Sequence, residues 1–237
     1  MRPADYGILK PEVDWVNEIQ SLVVPAHPHQ HVHRVWEQAL AWRAATLWMN
    51  THQKSYEQLN ISDWGCGVGM LAAMFLAVGS HIDLYEPWVY GDESAFVHRQ
   101  MSQVQSHFHK GSYSLGGLPL CEIGADLDEK YDISFCISTL EHIGEEEKAF
   151  RQLLKTVKPG GMVFLTMDFC GDGKPEADYA CAFMRCRMYT ETLMHRLSQW
   201  ASEAGFRFLG GKPDWEWTDE CRMVNNYGFS SIALERS

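Results

Sequence analysis

Asp63-Trp64-Gly65-Cys66-Gly67-Val68-Gly69 is followed at once by the apolar run MLAAMFLAV (70–78) and by Gly79. Tyr56–Trp64 (YEQLNISDW) reads as a strand approaching the glycines, and the apolar run as a helix with Gly79 past its end. Glycines at alternate positions let the backbone turn sharply and leave main-chain N–H groups approachable without Cβ interference. The helix then points its partly positive N-terminus at whatever occupies the turn. A plain tight turn is the competing reading, and G-x-G-x-G by itself is shared by several nucleotide-binding families.

Two acids sharpen the reading. The next strand candidate, His81–Glu86 (HIDLYE), ends in Glu86, seventeen residues after Gly69. An acid at the tip of a second strand can accept hydrogen bonds from both hydroxyls of a ribose. Asp83 competes for that role but lies inside the strand. Asp63 stands just ahead of the first glycine, where a carboxylate repels a pyrophosphate and attracts an amino group or a cationic centre. That contrast favours S-adenosylmethionine over a nicotinamide dinucleotide. Met70, where G-x-x-G would require its last glycine, counts the same way.

Outward from the loop, strand-like runs recur at Tyr131–Ser138, Gly161–Met167, Phe206–Leu209 and Ser231–Glu235. Helix candidates lie at 34–53, 70–78, 93–108, 145–157 and 190–204, with Pro159-Gly160-Gly161, Thr190 and Gly205 as punctuation. This alternation predicts an α/β chain with a doubly wound, mostly parallel sheet. Residues 1–33 are expected to be irregular, because Pro3, Pro11, Pro25 and Pro28 interrupt them. Val35, Ala39, Trp42, Thr46 and Met49 then mark one face of an amphipathic helix.

The sequence resembles the class I S-adenosylmethionine-dependent methyltransferases of the small-molecule type. DWGCGVG resembles their first motif and LYEP their acidic strand end. EIGADLDEKYDISFCISTLEHI resembles the third-to-fourth-strand block, LLKTVKPGGMVFLT the turn into the fifth strand, and YTETLMHRLSQWASEAGFRFL the last helix and sixth strand. The likeness covers roughly 60–235. It implies a Rossmann-like, seven-stranded sheet with an antiparallel last strand in a cofactor-binding domain over 56–237, and leaves 1–55, which it does not cover, as an N-terminal helical extension. It also implies that Gly65, Cys66 and Gly67 line the methionine part of S-adenosylmethionine and that Asp63 acts on its amino group. Glu86 would hold the ribose, and Pro87 and Trp88 would flank the adenine or ribose. Ala125, Asp126 and Leu127 would surround the adenine, and Ser138 would face cofactor and substrate. The product would be S-adenosylhomocysteine.

Methyl transfer needs alignment more than a conspicuous catalytic group. His142, after the fourth strand, is the best-placed base, with Glu141 a weaker one; a packing role for His142 competes. His27, His29, His31 and His33 alternate, but Pro25 and Pro28 argue against a regular strand and no carboxylate or thiol partner is spaced for a metal. Cys170, Cys181, Cys186 and Cys221 lack a C-x-x-C pair, so no metal site is expected. Residues 168–190 are long enough for a lid, with Arg185, Arg187 and Tyr189 placed to meet either an anionic substrate or the surface acids.

The chain has 237 residues and a formal net charge of −11. The first 120 residues carry 7 basic and 11 acidic side chains, and the remainder 13 and 20. Neither half is a basic module, so nucleic acid is not the expected partner. The region after the fourth strand reads STLEH, without the Asn/Asp-Pro-Pro-aromatic pattern of nucleic-acid methylation. No apolar run approaches the roughly 18–20 residues of a membrane span. Seven scattered cysteines and no apolar leader fit reduced thiols in the cytoplasm. The expected function is methyl transfer to an O or N atom of a small molecule. A nicotinamide-dependent oxidoreductase and a non-catalytic S-adenosylmethionine-binding protein are the alternatives.

Overall fold

Two strands with almost continuous burial set the centre of the sheet: β1 (Asn60–Trp64) and β4 (Tyr131–Ile137). Strands buried on both faces need helices on both faces. The computed structural model describes residues 10–22, 32–87, 92–170, 180–181, 184–185, 188–210 and 228–237. To β1 and β4 it adds β2 (His81–Tyr85), β3 (Ser112–Gly116) and β5 (Val157–Phe169). A two-stranded hairpin, β6 (Ala180–Cys181) and β7 (Met184–Arg185), follows, then β8 (Phe206–Phe208) and β9 (Gly228–Arg236). The main sheet has seven strands in the order β3-β2-β1-β4-β5-β9-β8. Strands β1 to β5 pair in parallel, while β9 runs antiparallel between β5 and β8. The doubly wound sheet with an antiparallel last strand is therefore as the sequence implies.

Helices α1 (Lys10–Leu22), α2 (Val32–His52), α3 (Met70–Val78) and α4 (Asp92–Phe108) share one core with Ile61, Ile82, Ile133, Phe135 and Phe164. On the opposite face, α5 (Glu146–Lys155) and α6 (Glu191–Glu203) pack on Trp64, Tyr131, Val163, Leu165 and Ile232. Phe75 joins the first layer to the sheet: its ring lies 4.8 Å from Trp42 and 5.2 Å from Phe135. Helix α2 is also tied down by polar contacts. Trp48 Nε1 donates to the Gly160 carbonyl at 3.0 Å, and His52 Nε2 meets Glu235 Oε1 at 2.7 Å.

Four expectations need correction. Residues 1–33 are not wholly irregular, because α1 occupies 10–22. Pro11 falls in its first turn, where the missing N–H leaves no helical bond unmade. A strand absent from the expected set, β3, is a half-exposed edge paired only with β2. Strand β5 begins at Val157, before the Pro-Gly-Gly turn, and its pairing jumps from Tyr131↔Val157 to Ile133↔Met162 across that turn. Strand β9 begins at Gly228, three residues before the expected Ser231. His27, His29, His31, Arg187, Trp215, Trp217 and Tyr227 lie outside the described residues, as do the side chains of His33 and Arg185. Among the described residues no helix is long and apolar enough to cross a membrane.

The chain leaves β1 toward β2 and β3 on one side and crosses from β3 to β4 on the other, so a crevice opens past the carboxyl ends of β1 and β4. Phe75→Ala should cost about 3–5 kcal/mol, since it empties the centre of the first core. Urea denaturation followed by far-ultraviolet circular dichroism checks this.

Candidate active site

The turn after β1 is built from three glycines with positive φ: Gly65 (72°), Gly67 (52°) and Gly69 (75°). The N–H groups of Gly65 and Cys66 both donate to the Tyr85 carbonyl, at 2.7 and 3.3 Å, which fastens the turn to the end of β2. Gly69 starts α3 and donates to the Cys66 carbonyl at 2.8 Å. A Cβ on Gly65 would stand 2.1 Å from Thr139 Oγ1, so this position is closed by packing. A Cβ on Gly67 would meet nothing within 4 Å, so this position faces open space.

Glu86 follows β2. Its N–H donates to the Gly116 carbonyl at 3.0 Å, and its Oε2 accepts from the Gly67 N–H at 2.9 Å. Asp83, its competitor, is 3% exposed and faces an internal network. Lys130 Nζ (2.7 Å), Tyr131 Oη (2.9 Å) and Ser114 Oγ (2.5 Å) all donate to it. Burial pushes its carboxyl up, but these hydrogen bonds outweigh that and hold it below its ordinary value. Tyr85 stacks on Trp64 with ring centroids 3.9 Å apart and shares a 2.7 Å hydrogen bond with Tyr131. The indole and phenol make a rigid floor behind the turn.

Across the crevice, β4 ends at Ile137 and Ser138 takes a φ of 44°. The Ser138 N–H donates to the Thr166 carbonyl at 3.0 Å. Its hydroxyl donates to Glu37 Oε1 at 2.5 Å, and Thr166 Oγ1 donates to the same oxygen at 2.6 Å. Glu37 belongs to α2 and is 1% exposed, so this second helix is fastened to the ends of β4 and β5. The short turn Leu140–His142 then carries His142, whose N–H donates to the Thr139 carbonyl at 3.0 Å.

These elements enclose a cavity of about 960 Å³. Asp63, Gly65, Cys66, Gly67, Glu86, Pro87, Ser138 and His142 all line it. Ala125, Asp126 and Leu127 do not. They form a separate short turn, and Leu118–Glu122 line the wall instead. The register expected there assumed a third strand nearer to Asp126. The real one, SYSLG at 112–116, ends just before Leu118. Trp88 lies outside the described residues. Sequence reasoning also missed Asn17 and Gln20 of α1 and Val35 and Gln38 of α2, which complete the wall. The signal for α1 was present in Val13, Val16, Ile19 and Leu22 at three-residue steps. Among the described residues no three His, Cys, Asp or Glu side chains converge as a metal site would require.

Asp63 is 2% exposed; burial, and then the neighbouring Glu86 charge, push its carboxyl up to about 7. Burial, with Asp63 and Glu86, likewise pushes the Cys66 thiol up, so Cys66 is not a thiolate nucleophile at neutral pH. Folded Asp63 keeps a proton that the unfolded chain releases near its ordinary value of about 4. The cost of ionising it is absent below about pH 4, grows between about 4 and 7, and is complete above about 7. Asp63→Asn should therefore be more stable than the parent at pH 8, by up to about 4 kcal/mol, with the gain fading toward pH 4. Thermal melts across that range measure it.

A sequence profile described as a methyltransferase domain matches residues 57–209. A ubiquinone biosynthesis O-methyltransferase of Rickettsia akari (strain Hartford) is 24% identical over 115 residues, covering 48% of this chain and 42% of that protein. The matched stretch is thus under half of that relative's length. Among solved structures, magnesium protoporphyrin IX methyltransferase from Synechocystis PCC 6803 with bound S-adenosylhomocysteine superposes with a TM-score of 0.60 at 16% identity. That match covers 98% of this chain and 97% of the other. The [4+2]-cyclase SpnF gives a TM-score of 0.60 at 15% identity, over 98% of this chain and 93% of its own. With more than half of its length matched by the profile, the chain belongs to the methyltransferase-domain family.

Proposed function

We propose that this chain binds S-adenosylmethionine in the crevice beside β1 and transfers its methyl group to an O or N atom of a small molecule, leaving S-adenosylhomocysteine. One observation carries the reading: the open space over Gly67, bordered by the Glu86 carboxylate on one side and buried Asp63 on the other. A backbone cradle with two acids suits a ribose and an amino group and opposes a pyrophosphate, which disfavours a nicotinamide dinucleotide. S-adenosylmethionine supplies, when bound, a methyl group on a sulfonium that is open to in-line displacement.

The chain's own residues do the rest. Gly65, Cys66 and Gly67 offer backbone to the methionine part, and Asp63 holds its amino group. Glu86 exchanges its bond with the Gly67 N–H for bonds to the ribose hydroxyls. Leu118–Glu122 take the place first assigned to Ala125–Leu127 beside the adenine, with Pro87 at its edge. Ser138 faces the meeting point of cofactor and acceptor. His142 takes the proton when the acceptor must lose one.

The ubiquinone-biosynthesis and protoporphyrin names of the similar proteins support a small-molecule acceptor. The net charge of −11 speaks against nucleic acid. Free cysteines at 66, 121, 136 and 170 support a cytoplasmic setting. Residues 1–55 serve as the cover and 56–237 as the cofactor-binding domain. Because one neighbour of the same fold is described as a cyclase, a cofactor-binding protein that transfers no methyl group is the second reading.

Calorimetric titration with S-adenosylhomocysteine tests the proposal. Glu86→Ala should weaken binding by roughly 1–3 kcal/mol, since it leaves the ribose without its acceptor. Gly67→Ala should fold, with a backbone cost of about 1–2 kcal/mol, but lose most of its affinity because the methyl group fills the cradle. Unchanged affinity in both variants would remove the cofactor from this crevice.

A further inference from the structure

Three buried acids of this chain are held by donors. Asp83 receives Lys130, Tyr131 and Ser114, Asp132 receives Lys54 and Lys158, and Glu37 receives Ser138 and Thr166. Asp63 differs from them. It is 2% exposed, and among the described residues no hydrogen-bond donor reaches its carboxyl. Its oxygens are not sealed off: neither is both enclosed and unpaired, as Gln38 Oε1 is, so the carboxyl opens onto the cavity that Asp63 lines. A buried carboxyl that opens onto a cavity without a donor calls for one from a guest.

The surroundings set its charge. Glu86, at the end of β2, lines the same cavity and repels a second negative charge. Cys66 in the turn and Cys136 on β4 also interact with Asp63, and burial keeps both thiols neutral. From α2, Glu37 is turned to Ser138 and Thr166. Helix α3 has no ionisable side chain, α4 meets the turn through Val97 and Met101, and α1 presents the carboxamides of Asn17 and Gln20. Among the described residues no Lys or Arg lines the cavity, and His142 is the one lining side chain that can become cationic. Two carboxylates around one open glycine, with no fixed cation between them, resist being charged together. Burial and Glu86 accordingly push the Asp63 carboxyl up to about 7.

We propose that Asp63 is protonated before the cofactor arrives and releases that proton as the cofactor's ammonium group docks, which makes binding of S-adenosylmethionine proton-coupled. This rests on the S-adenosylmethionine reading and adds a pH control to the same site. One O–H bond breaks at the Asp63 carboxyl: the proton passes to solvent, the electron pair stays on oxygen, and the carboxylate pairs with the ammonium group. The free chain holds the proton more tightly than the complex, so affinity rises with pH up to about 7 and levels off above it. S-adenosylhomocysteine carries the same amino group, so cofactor and product respond to pH alike.

Calorimetric titration of the full chain with S-adenosylhomocysteine, in buffers of different ionisation enthalpy between pH 6 and pH 8, counts the protons released. The release should be about one proton at pH 6 and almost none at pH 8, with affinity about tenfold higher at pH 8. 5′-Methylthioadenosine keeps the adenine and ribose but has no amino-acid part, so it should bind with no proton release and a flat pH profile. Asp63→Asn should abolish the release and flatten the profile for S-adenosylhomocysteine; the comparison of the two ligands on the parent stands without the variant. A flat S-adenosylhomocysteine profile in the parent would overturn the proposal, as would equal proton release with 5′-methylthioadenosine or in Asp63→Asn. A parent chain that binds no S-adenosylhomocysteine at either pH would instead defeat the cofactor reading, so the two failures are distinguishable.

Discussion

The turn from Gly65 to Gly69 must reverse the chain within five residues and still leave main-chain groups open to a ligand. Left-handed backbone at Gly65, Gly67 and Gly69 achieves this, and few other residues adopt it without strain. The Tyr85 carbonyl takes two of the turn's N–H groups, and Glu86 takes the Gly67 N–H. The ends of β1 and β2 are thereby locked together, and the two acids of the site are brought close enough for Glu86 to help keep Asp63 protonated. The same link explains why the crevice is polar on one side while Trp64 and Tyr85 form an apolar floor behind it.

The second half of the crevice is set by Glu37. The buried Glu37 carboxyl on α2 receives hydroxyl hydrogen bonds from Ser138 and Thr166, so this helix and the carboxyl ends of β4 and β5 are one hydrogen-bonded unit. Helices α1 and α2 also share the core of α3 and the sheet through Trp42, Phe75 and Phe135. Residues that sequence patterning places in an extension thus supply part of the cavity wall. Fold membership alone does not decide chemistry, as a cyclase on a similar scaffold illustrates; the acids and the open glycine are what narrow it.

Legibility in the sequence followed the strength of the physical signal. The glycine turn, the strands β1, β2 and β4, and the helices from α2 onward were readable because the glycine spacing, short runs with interleaved apolar residues or a helical period mark them. The edge strand SYSLG alternates serine with larger residues and pairs on one side only, so its pattern resembles a loop. Missing it placed the expected wall at Ala125–Leu127, whereas Leu118–Glu122 line the cavity. Helix α1 was hidden by Pro11, which reads as an interruption unless it falls in a first turn. Asn17, Gln20 and Gln38 had no sequence signature as wall residues, because only the assembled cavity brings the two helices to it.

Separate calorimetric titrations of the full chain with S-adenosylhomocysteine and with NADH address the central claim most directly. The expected result is saturable binding of S-adenosylhomocysteine near one equivalent and no heat beyond dilution for NADH. Binding of NADH without S-adenosylhomocysteine would contradict it, because the Glu86 side of the crevice would then be accommodating a pyrophosphate that its charge should repel.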